Sequence, residues 1–298
     1  MHALSALLGF LLVTCAVGDP CNVAWGEAVG TVHDGRLAEM SGLAASRKNP
    51  GVLWTMQDSY APNDVYAVSE SGSVLLSLEL EGVHQRDWED IAIYVENGRH
   101  FLYVADTGNN IDSMNTEVLS VHKFEEPSVG AFMKAGGRLK IPKMNIETFT
   151  FNYGPGFSYP NYPDCEALAI DPKNGDMYFF TKHNAHTTTE VYTYPASQQQ
   201  PNSNHQLEYL GHMDILQVTG ADITPEGHKL GISNYGGHGY GVERPSGTPW
   251  RDYFRTNPRP CSFSVAPEDQ RESLAATDAG YFTTSEGHDK KIWFYAFN

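Results

Sequence analysis

Positively charged side chains are scarce in this sequence. The 298 residues include 20 Lys and Arg against 36 Asp and Glu, which gives a formal net charge of −16. Nucleic-acid binding depends on clustered Lys and Arg that neutralise phosphates, so the composition excludes a general nucleic-acid binder. It also argues against a polybasic protein of the membrane surface. Because hydrophobic residues make up 41%, too many for a disordered chain, we predict a folded protein with a sizeable core.

A hydrophobic run long enough to cross a bilayer, about 20 residues, is also missing. The N-terminal apolar stretch Leu4–Val17 is too short, and the segment ends in the small residues Ala16-Val17-Gly18. This pattern is typical of a secretory signal peptide. We therefore predict a signal peptide over residues 1–18 and a secreted, extracellular domain over residues 19–298 with no membrane anchor. A short buried strand or helix at the N-terminus is the alternative.

Cysteine is sparse, with four in the whole chain. Cleavage of the signal peptide would leave Cys21, Cys165 and Cys261. Outside the cell two of these are expected to form a disulfide while one stays unpaired. Three pairings are open, as is a fully reduced protein; we favour Cys21 with Cys261, which would tie the two ends of the chain together. The sequence contains no Asn-x-Ser/Thr site, so N-glycosylation is not expected.

Long stretches with helical periodicity are absent, and short β-rich runs separated by Gly, Asn, Asp and Pro take their place. The clearest of these runs are Val52–Met56, Val65–Val68, Val74–Leu80, Phe101–Ala105, Val118–Phe124, Met177–Thr181, Val191–Tyr194 and Ile292–Phe297. The pattern predicts an all-β fold.

The β-rich runs belong to a repeat whose units begin with related motifs: SGLA, DWEDIA, DCEALA, TGADI and RESLA. Measured at one apolar position per unit, the spacings are 48, 77, 55 and 51 residues, at Leu43, Ile91, Leu168, Ile223 and Leu274. Three of these spacings match one propeller blade of about 40–50 residues. We predict a single β-propeller of five or six four-stranded blades, in which the N-terminal segment Val23–His33 completes the last blade.

The longest spacing leaves the number of blades open. It contains two further β-rich runs, Leu139–Pro142 and Glu147–Phe151. These runs can be outer strands, an insertion or a degenerate sixth blade. A later segment, Pro195–Gln206, is rich in Gln and Asn and predicts a solvated loop.

Acidic residues recur at or next to the start of the strand that would line the central channel. They are Glu89, Glu166, Asp222 and Glu272. A second polar set follows the next strand of each unit: Asp58, Asp106, Lys182, Asn234 and Glu286. Because neighbouring strands run antiparallel, the start of one and the end of the next meet at the same edge. We therefore expect two concentric polar rings around one mouth of the channel.

Crowded carboxylates repel one another unless a cation or protons neutralise them. Ca²⁺ takes six to eight oxygen ligands and is the cofactor that this pattern indicates. The candidate ligands are Glu89, Glu166, Asp222, Asn234 and Glu272. Glu89 and Glu272 are also the candidate catalytic acids. The alternative is structural: each acid accepts backbone N–H groups at a strand end and links neighbouring blades.

Several phrases are specific when taken together: SGLAASRKNPGVLWTMQDS, DWEDIAIY, FLYVADTGNN, PDCEALAIDPKNGDMYFFTK and VTGADITPEG. They resemble a family of secreted, mostly bacterial, uncharacterised β-propeller proteins. More distantly the chain is similar to the SdiA-regulated and esterase-like-phytase propellers and to the calcium-dependent lactonases of the gluconolactonase type. The lactonase resemblance implies a channel calcium held by Glu, Asp and Asn. The positions that match in kind are Glu89, Glu166, Asp222, Asn234 and Glu272.

These features favour a monomeric secreted propeller that binds a small molecule, a glycan or an extracellular protein through its loop-rich face. The alternative is a calcium-dependent hydrolase of esters, lactones or phosphoesters. There the metal would polarise the scissile bond while an acid such as Glu89 activates water. A third hypothesis, an acidic extracellular matrix protein, draws on net charge alone.

Overall fold

The computed structural model describes residues 19–58, 61–109, 116–130, 137–157, 161–182 and 188–298. The predicted signal peptide lies outside these residues. The first part of the chain contains the strands β1 (Glu27–Val32), β2 (Met40–Ala45), β3 (Val52–Gln57), β4 (Asp64–Ser69), β5 (Val74–Leu80), β6 (Trp88–Glu96), β7 (Arg99–Asp106), β8 (Leu119–Glu125), β9 (Gly137–Ile141) and β10 (Glu147–Asn152).

The remaining strands are β11 (Asp164–Ile170), β12 (Met177–Lys182), β13 (Thr189–Tyr194), β14 (Asn204–Gln206), β15 (Glu208–Met213), β16 (Val218–Ile223), β17 (Lys229–Asn234), β18 (His238–Glu243), β19 (Cys261–Ser264), β20 (Arg271–Ala276), β21 (Gly280–Ser285) and β22 (Lys290–Ala296). One short α-helix, α1 (Trp250–Phe254), is present in the described part of the chain. No helix among these residues is both long and apolar enough to traverse a lipid bilayer.

The strands form five sheets arranged as the blades of a propeller. From the innermost to the outermost strand, the sheets are β2-β3-β4-β5-β9, β6-β7-β8-β10-β14, β11-β12-β13-β15, β16-β17-β18-β19 and β20-β21-β22-β1. Each innermost strand contacts the innermost strands of both neighbouring blades, which closes the ring. The all-β propeller prediction is confirmed, with five blades.

The N-terminal strand completes the last blade. β1 pairs antiparallel with β22, and Val23 forms a further bridge with Phe297. The predicted closure by the segment Val23–His33 is therefore observed. Cys21 is bonded to Cys261 at the start of β19, with their Cα atoms 6.0 Å apart. The buried Cys165 is a free thiol.

The middle of the chain forms outer strands and not a sixth blade. β9 adds in parallel to the outer edge of β5, and β10 pairs antiparallel with β8. The segment predicted as a solvated loop, Pro195–Gln206, also supplies the strand β14, which pairs in parallel with β10. Unpaired edge strands expose backbone hydrogen-bonding groups, and these additions cover the edges of two blades.

Aromatic residues fill the space between blades. Trp54, Trp88, Trp250 and Tyr281 are all less than 2% exposed. Ring pairs such as Phe263 with Tyr281, whose centroids are 5.4 Å apart, stack across neighbouring blades. The high aromatic content therefore serves the packing around the ring.

Removing the disulfide will destabilise the protein. In the oxidised protein the bond closes a loop with a sequence separation of 240, and loops of this size constrain the unfolded chain by about 3–5 kcal/mol. We expect the Cys21→Ser/Cys261→Ser variant to unfold at a correspondingly lower denaturant concentration. Adding a reductant should lower the stability of the wild type and leave that of the variant unchanged; an equal effect on both would contradict the role of this bond.

Candidate functional site

Irregularities in the strand register place glutamates at one mouth of the channel. In β6, Trp88 pairs with Asp106 and Asp90 with Ala105, so Glu89 is an extra residue between them. The same one-residue bulge holds Glu166 in β11 and Glu272 in β20. A bulge takes its extra residue out of the regular ladder and redirects its side chain. Three blades therefore present a glutamate at equivalent places.

Two groups of three carboxylates meet at this mouth. One oxygen from each of Asp58, Asp87 and Glu89 lies within 4.8 Å of the others, and the same holds for Glu89, Asp164 and Glu166. Glu89 belongs to both groups. We call the first group the Asp58 triad and the second the Asp164 triad. Their sharing of Glu89 makes them one continuous acidic cluster.

The cluster contains carboxylate oxygens that are buried and lack a hydrogen-bond partner. Asp87 is 1% and Glu89 is 2% exposed. Within the described part of the chain, neither oxygen of Asp87 has a hydrogen-bond partner, and the same is true of Glu89 Oε1 and of Glu272 Oε2, which is not a member of either triad. Burial of a charge is very costly unless it is paired or coordinates a metal. The arrangement therefore calls for protons or a cation.

Gly108 has no side chain, and the space beside its Cα is occupied by these carboxylates. A Cβ atom at Gly108 would collide with Glu89 Oε1 and with Asp87 Oδ2. The carbonyl oxygen of Gly108 accepts a hydrogen bond from the guanidinium of Arg86. The loop after β7 thus forms a close cradle around the unpartnered oxygens. This fit, together with a donor set that consists of carboxylates among the described residues, suits a hard cation such as Ca²⁺.

In the part of the chain that the structure describes, two cationic side chains accompany the acids. Arg86 Nη2 lies 3.3 Å from Asp106 Oδ1, and its Nη1 is 3.9 Å from Asp87 Oδ2. Lys182 Nζ lies 3.0 Å from Glu166 Oε2. These ion pairs compensate part of the negative charge of the cluster.

The remaining repulsion and the burial shift the pKa values of the acids. Burial, followed by the charge of Asp58, raises the pKa of Asp87 to about 7. Burial and the charge of Glu166 raise the pKa of Glu89 well above its usual range. For Glu272 the same two causes raise the pKa to about 9, although Lys182 opposes them. Without a cation, part of this cluster retains protons near neutral pH.

The second polar set has mixed roles. Asp106 accepts the backbone N–H groups of Asp87, at 3.0 Å, and of Arg86, at 3.3 Å, which fixes the start of β6. Asn234 accepts the backbone N–H of His238 at 2.8 Å, so its amide oxygen holds a turn. Asp58 joins the cluster as described.

Glu286 lies at the rim of the same mouth. It accepts a hydrogen bond from Gln270 Nε2 at 2.8 Å. Burial, with the charge of Asp58 as the next cause, raises the pKa of Glu286 to about 7. Members of the two predicted rings therefore meet around one opening, although they do not all face the same point.

Asp222 belongs to neither acidic triad among the described residues. The bulge of β16 falls at Thr219, between Val218 and Gly220. Thr219 therefore occupies the place of Glu89 in this blade, and Asp222 lies three residues further along the strand. Its Oδ2 accepts the backbone N–H of Ala276 in the next blade at 2.8 Å. This role matches the structural alternative, an acid that links neighbouring blades.

Asp90 has a similar linking role inside the channel. It is completely buried, and its Oδ2 accepts the backbone N–H of Leu168 at 2.8 Å. Its Oδ1 accepts the N–H of Ile91 at 2.8 Å. Asp90 thus connects the innermost strands of two blades directly beside Glu89.

Sequence reasoning missed Asp87 and Asp164 as site residues. Both precede the bulge glutamate by two positions, in the pattern Asp-x-Glu. Residues two apart on a strand point to the same face, so this spacing was a usable signal. Arg86 was also missed, and nothing in its sequence context distinguishes it from a surface arginine.

Comparisons with known proteins assign no family to this chain. No protein-family profile matches the chain, and no curated protein matches it. Among solved structures, a chain described as "Crystal Structure of Mitotic Checkpoint Complex" is similar, with a TM-score of 0.38 and 14% sequence identity. The similarity covers 83% of this chain and 62% of the other, so this chain spans less than two thirds of that protein's length.

Proposed function

We propose that the channel mouth binds Ca²⁺ and that the protein uses this ion to bind an oxygen-rich ligand on the same face. The observation that carries the proposal is the pair of buried acids Asp87 and Glu89: among the described residues, neither oxygen of Asp87 and not Oε1 of Glu89 has a hydrogen-bond partner. They lie beside Asp58 in a group whose oxygens are within 4.8 Å of one another.

The donor chemistry favours Ca²⁺ over other common metals. Among the described residues, the Asp58 and Asp164 triads contain carboxylates and no His or Cys side chain, whereas zinc and copper sites use nitrogen and sulfur ligands. Mg²⁺ demands a near-ideal octahedron and usually keeps several waters. Extracellular calcium modules bind with dissociation constants of about 10⁻⁴–10⁻³ M. Secretion is part of this proposal, supported by the signal-peptide pattern and by the disulfide between Cys21 and Cys261.

Calcium bound by three carboxylates retains coordination positions for a ligand. Ca²⁺ takes six to eight oxygens, so hydroxyl, carboxylate or phosphate groups of a glycan, a small molecule or an acidic protein can complete its shell. The experiment is binding of the purified protein to a glycan array and to immobilised acidic peptides, in Ca²⁺ and in EGTA. Binding that needs Ca²⁺ and is lost in Glu89→Gln supports the proposal. Binding that is equal in both buffers contradicts it.

A calcium-dependent hydrolase is the second candidate, and Glu272 favours it. This residue is buried, its Oε2 lacks a hydrogen-bond partner, and its raised pKa of about 9 leaves it protonated at neutral pH. A carboxyl group of this kind can protonate a leaving group, and the resemblance to lactonases supports the same chemistry. A panel of esters, lactones and phosphoesters tests it: Glu272→Gln should abolish turnover and preserve Ca²⁺ binding. Turnover that survives this substitution would exclude Glu272 as the acid.

Adding a methyl group at the cradle should weaken calcium binding. We expect Gly108→Ala to lower the affinity for Ca²⁺ by about tenfold, which is about 1.4 kcal/mol, because its Cβ displaces Glu89 and Asp87. Isothermal titration calorimetry measures this change. Gly35→Ala is the matched control, since a Cβ there meets no atom within 4 Å. An unchanged affinity in Gly108→Ala would place the ion away from this cradle.

A further inference from the structure

An exposed aromatic side chain lies at the rim of the channel mouth, beside the acidic cluster. We propose that the oxygen-rich ligand is a neutral glycan, and that one of its sugar rings packs on Tyr235 while its hydroxyl groups complete the shell of the bound Ca²⁺. This inference rests on the proposed function, and it names the class of ligand and a residue that selects it.

The fold places Tyr235 at this rim. Tyr235 directly follows β17, and its backbone N–H donates to the carbonyl oxygen of Gln217 at 2.9 Å, just before the innermost strand β16. Asn234 Nδ2 donates to the carbonyl oxygen of Leu216 at 3.1 Å. These two hydrogen bonds tie the end of β17 to the start of the channel-lining strand, so Tyr235 is held beside the mouth.

A lysine connects the aromatic ring to the acidic cluster. Lys182 Nζ lies 5.2 Å from the centroid of the Tyr235 ring and 3.0 Å from Glu166 Oε2 in the Asp164 triad. A single side chain therefore separates the ring from a carboxylate of the cluster. A short glycan can contact the ring and reach an ion held by the cluster at the same time.

Tyr235 also presents apolar surface to solvent. It is 36% exposed, and the neighbouring Leu216 is 40% exposed. Tyrosine combines a large apolar ring with a polar hydroxyl group, and small-molecule sites combine aromatic surface with a few polar groups that fix the orientation of the ligand. The apolar C–H face of a sugar ring matches this surface, while its hydroxyl groups match a cation that binds oxygen.

The size and charge of the mouth argue against an acidic protein partner. A stable protein interface buries about 800 Å² on each partner, and two partly exposed side chains supply a small fraction of that area. The triads contain five carboxylates, and the cationic side chains described beside them are Arg86 and Lys182. Negative charge therefore still prevails when one Ca²⁺ is bound. A neutral ligand avoids the repulsion that an acidic one would meet.

Two glutamines continue the rim in the last two blades. Gln217 and Gln270 precede the bulge residues of β16 and β20 by two positions, which is the place of Asp87 and Asp164 in their own blades. An amide group offers donors and an acceptor, as a hydroxyl group does. The mouth thus has an acidic part that suits a cation and an amide-bearing part that suits sugar hydroxyl groups.

The experiment measures binding of the wild type and of Tyr235 variants to an array of neutral glycans in Ca²⁺. We expect Tyr235→Ala to bind the retained glycans about tenfold more weakly, whereas Tyr235→Phe keeps the ring and should bind as the wild type does. Tyr235→Leu keeps an apolar side chain without the ring, and it should show the same loss as Tyr235→Ala if that variant does not fold.

Tyr209→Ala is the matched control. Tyr209 is 51% exposed and lies on β15, the outermost strand of the third blade, so its loss should leave glycan binding unchanged. Titration calorimetry with Ca²⁺ as the sole ligand should give the same calcium affinity in the wild type and in all the variants. This measurement separates loss of the ring from damage to the ion site.

Glycan binding that needs Ca²⁺, falls in Tyr235→Ala and persists in Tyr209→Ala supports the inference. Equal glycan binding by Tyr235→Ala and the wild type overturns it. A wild type that binds Ca²⁺ but no neutral glycan also overturns it, whether or not immobilised acidic peptides are retained. A wild type that binds no Ca²⁺ overturns the proposed function itself, so the two failures are distinguishable.

Discussion

Replacing Glu89 with Gln will lower the affinity for Ca²⁺ by about 100-fold, which is about 2.7 kcal/mol. Glu89 is shared by both acidic triads, and it is buried with Oε1 free of any hydrogen bond. The amide of Gln keeps the size of the side chain but removes the negative charge, and calcium affinity depends strongly on the number of charged ligands. Titration calorimetry at fixed ionic strength measures this loss.

Glu125→Gln is the matched control for this substitution. Glu125 is exposed and pairs with Arg99 on the outer part of the second blade, so its loss should leave the calcium affinity unchanged. In EDTA at an alkaline pH, above the raised pKa of the buried Glu89, Glu89→Gln should also unfold at a higher temperature than the wild type, because it removes one repelling buried charge. Equal calcium affinities in Glu89→Gln and the wild type would be incompatible with a site built on this residue.

In the absence of divalent cations the protein will lose stability as the pH rises from about 4 to about 9. The pKa of Glu272 rises from 4.5 to about 9 in the folded protein, and that of Asp87 from 3.8 to about 7. Within this range the folded state binds more protons than the unfolded state, so the free energy of unfolding falls with increasing pH. The stabilising contribution is complete below the unfolded pKa values and is lost as each folded pKa is passed.

Thermal unfolding in EDTA checks this prediction. One pKa unit corresponds to about 1.4 kcal/mol, so we expect the melting temperature to fall by at least about 5 °C between about pH 5.5 and about pH 8.5. Ca²⁺ should restore most of the loss at the higher pH, because the ion replaces the protons. The Glu272→Gln variant should show a flatter pH profile. A melting temperature that rises with pH in EDTA would mean that these acids are stabilised as carboxylates by the protein itself.

The propeller was predictable because its blades repeat local chemistry. Each unit places a motif such as DWEDIA before a β-rich run, and antiparallel pairing within one unit needs only short connections. Outer strands carry a weaker signal. β9 and β14 each add to a strand that lies far away in the sequence, so no local pattern of Gly137–Ile141 or Asn204–Gln206 reveals their partners.

The candidate site was predictable in the units whose bulge falls at the same repeat position, and not in the unit whose bulge falls elsewhere. Glu89, Glu166 and Glu272 each occupy the extra position of the register. Each of these glutamates lies two residues before the apolar residue that defines its unit. In the fourth unit the bulge falls at Thr219, which lies four residues before Ile223. A one-residue bulge leaves little trace in hydrophobic periodicity, so the apolar pattern alone does not reveal that the bulge of this blade falls at Thr219.

Which charged side chains form ion pairs was the other feature that could not be predicted from the sequence. The sequence places Lys182 after a strand, and its contact with Glu166 depends on the bulge in the opposite strand. Burial likewise decides which acids lack partners, and it is a property of the closed ring. Asp106 and Asn234 are polar residues at strand ends, as Asp87 is. Their side-chain oxygens, however, accept hydrogen bonds from backbone N–H groups.

A crystal of the protein grown with Ca²⁺ would locate the bound ion in its anomalous difference map. We predict a peak at the channel mouth, within about 2.3–2.6 Å of oxygens of Asp58, Asp87 and Glu89, the range of Ca²⁺–oxygen distances. Lys182 should remain beside Glu166 in the same map. A map without a peak between these three carboxylates, at a Ca²⁺ concentration of about 10 mM that saturates weak extracellular sites, would contradict the account.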